Sequence, residues 1–208
     1  MRYSHFTEKS MREEVLDIGN NLAEYMYTYG IQNIILMDRS ARPAYLALKN
    51  SWRKNYPEAK CPNIYFTNPK GYNLFEKSID KLATEFNNTY VKLAEDKNAS
   101  IMLFDVCMHD GHTLSPVIET VRKAGYNNLF VGLAQPPHRR RSLVHLDFIA
   151  INHSLAGVCY PFMRDYIVSK LHENILSTPD SSEFHESFIL RKEMNAIFRG
   201  NVYSDCYQ

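Results

Sequence analysis

Several features are scarce or missing in this sequence of 208 residues, and each absence argues against a class of protein. The four cysteines include no Cys-x-x-Cys pair, so neither a zinc knuckle nor a redox motif is expected, and reduced thiols in the cytoplasm are the simpler expectation. A formal net charge of +1 gives no general attraction to nucleic acid or to an anionic membrane. No stretch approaches the ~18 consecutive apolar residues of a membrane-spanning helix. Glu13, Glu14 and Asp17 interrupt any apolar region of a signal peptide, so we expect the N-terminal segment to remain in the mature protein.

The sequence does contain an alternation of short apolar runs and helical patterns with short connections. Apolar runs at 33–37, 64–67, 101–104, 129–134 and 148–151 predict five strands, and the segments between several of them are helical in pattern. This order is typical of an α/β protein with a mainly parallel five-stranded sheet between two helical layers. We expect one domain over 1–208, with an N-terminal helix within 7–30, a core over about 31–152 and a C-terminal extension over 153–208.

The segment 100–114 carries the clearest functional pattern. Its apolar run shows no alternation, as expected of a strand covered on both faces, and ends in Asp105, where open α/β sheets place their ligands. Gly111 allows close approach of the backbone to a ligand, and Thr113 is a suitable N-cap for the helix that follows. The turn would aim backbone N–H groups at an anion. The alternative is an ordinary strand-to-helix loop, since Asp and Gly populate turns for backbone reasons alone.

A second segment repeats this arrangement, because the apolar run 33–37 ends in Asp38 and leads into a helix with Pro43 in its first turn. Arg39 and Arg42 would stand near the helix N-terminus, where two cations are poorly placed unless an anion lies between them. The alternative is a local ion pair of Asp38 with Arg42, worth about 1 kcal/mol or less if exposed.

Together these residues resemble the type I phosphoribosyltransferase family, whose signature is an apolar run, two adjacent acids, a short spacer and a Thr/Asp-Gly-x-Thr turn. The resemblance covers 33 to about 151 and implies that the turn surrounds the 5′-phosphate of phosphoribosyl pyrophosphate, through Asp110, Gly111, His112 and Thr113. It implies that the first loop receives the pyrophosphate, through Arg39, Ser40, Ala41 and Arg42. It further implies that Asp105 bonds a ribose hydroxyl and is the protein group nearest to a Mg²⁺ ion carried by the pyrophosphate.

The activity implied by the resemblance is transfer of the phosphoribosyl group to a nitrogenous base, or release of a base in reverse, with Asp105, Arg39 and Arg42 as the catalytic residues. The sequence departs from the signature at Val106, where the family has a second acid, and valine can neither carry charge nor accept a hydrogen bond through its side chain. A non-catalytic sensor of a nucleotide or ribose phosphate, or a partner-binding module, is therefore the alternative. A phosphohydrolase with Asp38 or Asp105 as nucleophile is a weaker reading, since neither has an acid two residues later.

The base would be held by a hood formed from the terminal segments, which in this family often includes an aromatic residue. The candidates lie in 159–166, where two aromatic rings could stack on a base and two charged groups could select it: Tyr160, Phe162, Arg164 and Asp165. An aromatic turn packed under the next helix is about as good an explanation. The tail after 177 could complete the hood or contact another subunit, as in a homodimer.

Three other groups of residues are open to a functional or a structural reading. Cys107 could act as a nucleophile, although small apolar packing is the usual role of a free cysteine. His109, Asp110 and His112 form the densest set of metal ligands, but a structural zinc site needs a fourth ligand. The basic run 138–141 fits a solvated surface loop better than a nucleic-acid site, which needs more basic area.

Overall fold

A five-stranded sheet, parallel in every pairing, forms the centre of the structure. The structure is a computed structural model. It describes residues 3–37, 41–67, 77–108, 111–137, 144–154 and 181–200, with the backbone alone for 181–185. The strands lie in the order β2-β1-β3-β4-β5. Their bounds are β1 Asn33–Met37, β2 Asn63–Thr67, β3 Ile101–Asp105, β4 Leu129–Leu133 and β5 Phe148–Ile149. The predicted α/β fold with five strands is thus confirmed.

Helices cover both faces of this sheet. Their bounds are α1 Lys9–Thr28, α2 Arg42–Asn55, α3 Ile79–Thr89, α4 Val91–Ala94, α5 Leu114–Lys123 and α6 Ser181–Phe198. Successive side chains of a strand point to opposite faces, and β1 shows this in its packing. Ile34 and Leu36 pack on the side of α1, α2 and α6, whereas Ile35 and Met37 pack on the side of α3, α4 and α5. Both sets are buried, which explains why β1 reads as a continuous apolar run and confirms the three-layer arrangement.

The sheet grows outward from β1 and β3 in two directions. The chain passes from β1 through α2 to β2 on one side, and from β3 through α5 to β4 on the other. The two helices lie on opposite faces, as connections of one hand require. The strand order therefore reverses between β1 and β3.

One helix start differs from the sequence prediction, and one helical pattern is interrupted where its sequence is weakest. Ser10 and Thr7 are the residues near the start of α1 that the sequence offers as an N-cap. The N-cap is instead Glu8, without a side-chain capping bond, so this prediction was wrong. The sequence is helical in pattern over 74–93, with a weak point at Asn87-Asn88-Thr89. The described part of this range, from 77 onward, forms two helices, because α3 ends at Thr89 and α4 begins at Val91. Asparagine and threonine compete for backbone hydrogen bonds, which weakens the helix at that point.

The C-terminal helix α6 packs against α1 and α2 and fixes the start of the chain. Glu193 is fully buried, and its carboxylate accepts hydrogen bonds from the backbone N–H groups of Ser4, His5 (3.0 Å) and Phe6 (3.1 Å). The apolar spacing of the C-terminal segment predicts a buried helical stripe that includes Phe188. Phe188 is 63% exposed, so that part of the prediction was wrong. Within the described part of the chain, no helix combines the length and the apolar content that crossing a membrane requires.

Candidate functional site

The carboxyl ends of β1 and β3 lie side by side, and the two loops singled out in the sequence leave the sheet there. Leu36 of β1 pairs with Phe104 of β3, one residue before each strand ends. The next helices, α2 and α5, lie on opposite faces of the sheet, and in open α/β sheets a crevice is expected at the strand ends where this happens. We call this place the crevice. Open α/β sheets bind their ligands in such a crevice. The position of both loops therefore agrees with a ligand site.

Asp105 is fixed at the mouth of this crevice by its own backbone and by β4. It is half-buried, and its Oδ1 accepts a hydrogen bond of 2.7 Å from the N–H of Val106. Its backbone carbonyl accepts the N–H of Ala134 at 3.0 Å. A half-buried carboxylate held in this way is suited to accept a hydrogen bond from a ligand hydroxyl.

Val106 points away from the crevice. Its side chain is fully buried and belongs to the apolar cluster on the side of α1 and α2, the same side as Phe104 two residues earlier. Its carbonyl accepts the N–H of Gln135 at 3.3 Å, which ties the residue to the end of β4. The position that carries the second acid of the resembling family is thus part of the core in this chain.

The turn before α5 has the backbone geometry that its sequence predicts. Gly111 is buried with φ +95°, a conformation that favours glycine, and its carbonyl accepts the N–H of Ser115 at 2.8 Å. His112 and Thr113 are exposed just before the helix begins at Leu114. Thr113 occupies the predicted N-cap position, but its backbone is helical and its side chain makes no capping bond. The predicted capping bond was therefore wrong, and the hydroxyl stays at the surface near the helix N-terminus.

On the β1 side, the structure places Ala41 and Arg42 at the start of α2. Ala41 is buried, and its N–H donates to the carbonyl of Met37 at 3.1 Å, which turns the chain directly from strand to helix. Arg42 is half-buried, with its guanidinium carbon 5.8 Å from the centre of the Phe66 ring of β2. This ring contact holds a positive charge at a helix N-terminus, where the helix dipole alone disfavours it.

Several predicted site residues lie outside the described residues. These are Asp38, Arg39, Ser40, His109, Asp110, the basic run 138–141 and the base-binding candidates Tyr160, Phe162, Arg164 and Asp165. The structure thus places Asp105 at the end of β3, the Gly111–Thr113 turn directly before the helix that follows, and Ala41 and Arg42 at the start of the helix after the neighbouring strand.

Sequence reasoning missed two polar residues at the same edge of the sheet. Thr67 ends β2, and Gln135 lies two residues beyond β4; both are almost completely buried. The signal was the one used for Asp105, a polar side chain directly at a strand end. Two prolines follow Gln135, so the sequence at this point indicates the end of a strand more clearly than a site residue.

Among the residues that the structure describes, no group of three or more His, Cys, Asp or Glu side chains is arranged to hold a metal ion. The described residues at these strand ends offer two oxygen donors, the carboxylate of Asp105 and the hydroxyl of Thr113, and one nitrogen donor, the imidazole of His112.

No family model and no curated protein matches this sequence.

The chemistry that the crevice can perform must therefore be judged from its residues alone. One carboxylate, one hydroxyl, a glycine turn at a helix N-terminus and an arginine provide binding and positioning for an anion with hydroxyl groups. Two carboxylates that could divide acid and base roles are not present among its described residues. Orientation and electrostatic stabilisation are the contributions that this set supports.

Proposed function

We propose that this protein binds phosphoribosyl pyrophosphate or a related ribose phosphate in the crevice between β1 and β3. It transfers the phosphoribosyl group to a nitrogenous base, or releases a base in the reverse direction. The free thiol of Cys61 suits a reducing compartment, and we place the activity in the cytoplasm.

The observation that carries this proposal is the position of Asp105 and the Gly111 turn at the point where the strand order reverses. A sugar phosphate presents hydroxyls and a dianion a few ångströms apart. A carboxylate at the end of β3 can accept from the hydroxyls, and the N-terminus of α5 can receive the dianion. Arg42 begins the helix that follows the adjacent strand and would face a second anionic group.

Each residue has a role in orientation or charge stabilisation. Asp105 holds a ribose hydroxyl and so fixes the sugar, while the turn from Asp110 to Thr113 holds the 5′-phosphate. A nitrogen nucleophile attacks the anomeric carbon as the bond to pyrophosphate breaks, and Arg39 and Arg42 stabilise the charge that develops on the departing oxygen. No covalent intermediate with the protein is required.

The oxygen donors of the crevice fit Mg²⁺ only in part. Among the described residues the crevice offers one carboxylate, that of Asp105, so most of the ligands would come from water and from the phosphates of the substrate, which is how Mg²⁺ is often held. When bound, the ion adds positive charge to the leaving pyrophosphate.

The second candidate function is a sensor that binds a ribose phosphate without turnover. It is favoured by the burial of Val106, because the crevice then lacks the second acid of the resembling family. Binding is common to both functions, so turnover distinguishes them.

The test is calorimetric titration with phosphoribosyl pyrophosphate and Mg²⁺. The Arg39→Ala/Thr113→Ala double variant removes a cation from the segment after β1 and a hydroxyl from the turn before α5. As a control, Arg122→Ala/Thr84→Ala removes the same groups from exposed positions elsewhere. We expect the native protein and the second variant to bind, and the first to bind at least tenfold more weakly, since each charge-assisted hydrogen bond contributes about 1.5–3 kcal/mol. Equal binding by all three proteins, or none by the native protein, would reject the proposal.

If binding is found, incubation with purine and pyrimidine bases and separation of the products by chromatography decides between the two functions. Pyrophosphate release with any base supports the transferase. Binding without release supports the sensor.

A further inference from the structure

A second cluster of positive charge lies away from the crevice, where α2 packs against α6. A cavity of about 180 Å³ opens between the two helices. Its lining holds three cationic and two carboxamide side chains, with one phenol and no acidic residue. These polar groups are Lys49, Arg53, Arg191, Asn50, Asn195 and Tyr45.

The two helices bring these groups together through their periodicity. Residues four apart lie on the same side of a helix, and this spacing relates Lys49 to Arg53 on α2 and Arg191 to Asn195 on α6. The side-chain amide of Asn50 donates to Oδ1 of Asn195 at 2.9 Å and holds the helices in register at the cavity.

Two of the three cations at this cavity, Lys49 and Arg53, have no carboxylate partner among the residues that the structure describes. Lys49 donates to the hydroxyl of Tyr45 at 3.1 Å. The positive charges of Lys49 and Arg53 also act on the thiol of Cys61. Burial raises the pKa of this thiol, and the two charges offset part of that increase. Like charges one turn apart repel each other, so an anion between them would relieve an unfavourable contact.

We infer that this cavity binds the phosphoryl group of a small phosphorylated metabolite. Lys49, Asn50 and Asn195 are half-buried and form the floor, whereas Arg53 and Arg191 are exposed at the rim. Guanidinium groups match phosphate oxygens with paired hydrogen bonds, and Lys49 and Asn195 supply further donors. The amide of Asn50 donates to the carbonyl of Leu46 and to Asn195 at 2.9 Å each, so it positions Asn195 instead.

The size of the cavity suits this ligand. At ~30 Å³ for each water molecule, its volume of about 180 Å³ has room for a phosphate or pyrophosphate group. It is smaller than the ~300–1,000 Å³ that encloses a drug-sized ligand, so the rest of the metabolite would remain in solvent. The few cations involved and the net charge of +1 make an extended nucleic-acid strand a poor match.

The site is separate from the crevice and goes beyond the proposed function. Lys49 and Arg53 follow Arg42 along α2 by about 10 Å and 16 Å, respectively, at ~1.5 Å of rise per residue. A ligand held here would contact the helix whose N-terminus borders the crevice and the C-terminal helix at the same time.

The experiment is calorimetric titration with inorganic pyrophosphate at low ionic strength. Lys49→Ala/Arg53→Ala removes two cations from the cavity, and Lys54→Ala/Lys192→Ala removes the same charge from exposed neighbouring positions that do not line it. The Arg39→Ala/Thr113→Ala variant alters two residues of the site in our proposed function instead. Circular dichroism spectra of all variants check that they fold.

We expect one binding event to weaken at least tenfold in Lys49→Ala/Arg53→Ala and to persist in the other two variants. The inference is overturned if native protein binds no pyrophosphate, or if both charge-matched double variants weaken binding equally. It is also overturned if binding disappears in Arg39→Ala/Thr113→Ala alone, which would support the crevice instead. Because the two sites are tested by different variants, the proposed function can fail while this inference holds, and the reverse.

Discussion

Replacing Val106 with aspartate introduces the second acid that the type I phosphoribosyltransferase signature has at this position. We expect the protein to lose stability as a result. The Val106 side chain is fully buried in the apolar cluster beneath α1 and α2. Removing a buried valine forfeits about 1.5–3 kcal/mol of apolar burial. A carboxylate in its place is a buried charge without a partner, which costs several kcal/mol more.

The combined loss is about 4–6 kcal/mol at neutral pH, a large share of the ~5–15 kcal/mol that stabilises a typical domain. The part of this loss that comes from the buried charge increases with pH. Burial raises the pKa of the introduced carboxyl above its unfolded value of ~3.9, so that part of the cost is absent below about pH 4. It grows by about 1.4 kcal/mol per pH unit until the folded pKa is reached.

The assay is urea denaturation of native protein, Val106→Asp and Val106→Thr at pH 5 and pH 8. Threonine has the shape of valine and adds one hydroxyl, so we expect it to cost about 1–2 kcal/mol at both pH values. A loss below about 1 kcal/mol for Val106→Asp, unchanged between the two pH values, would refute the reasoning. It would mean that the side chain at 106 faces the crevice, and the variant could then be used to restore a catalytic acid.

Three further predictions concern other buried or strained groups. Glu193→Ala leaves three backbone N–H groups without their acceptor and should lower the stability by about 3 kcal/mol in urea denaturation. A loss no larger than that of Glu186→Ala, whose side chain is 39% exposed, would contradict this. Gly111→Ala and Gly125→Ala both place alanine at positive φ and should each lower the stability by about 1–2 kcal/mol. Calorimetry should find weaker ribose phosphate binding only for Gly111→Ala. Equal weakening of binding in both variants would count against the crevice. Burial raises the pKa of Tyr126 to about 12, so this tyrosine ionises first in the unfolded state above pH 10, and the native protein loses up to about 2 kcal/mol of stability by pH 12. Tyr126→Phe should keep this stability. Identical alkaline unfolding curves for the two proteins would refute this prediction.

The sheet and its layers could be predicted because burial on both faces leaves a direct trace in the sequence. In β1, Ile34 and Leu36 pack on one helical layer while Ile35 and Met37 pack on the other, so no polar residue interrupts the run. The position of Asp105 at a strand end followed from the same run. Its place beside the carboxyl end of β1 depends on strand order, which the sequence pattern does not specify.

The direction of individual side chains could not be predicted at the ends of elements. Val106 follows the last residue of β3 and continues its alternation into the core, although a loop residue could point either way. In α6, Glu193 lies on the buried side and Phe188 on the exposed side, the opposite of what hydrophobicity indicates. The partners of Glu193 are backbone N–H groups almost the whole chain away, and this tertiary contact overrides the local pattern.

The most direct test of the central claim is to locate the bound ligand by NMR. Phosphoribosyl pyrophosphate with Mg²⁺ is titrated into ¹⁵N-labelled protein, and the backbone amide shifts are followed. We predict the largest changes at Gly111, His112 and Thr113, with further changes at Ala41 and Arg42 across the crevice. Changes confined to residues at the amino ends of the strands, or no changes at all, would contradict the claim that this crevice binds a ribose phosphate.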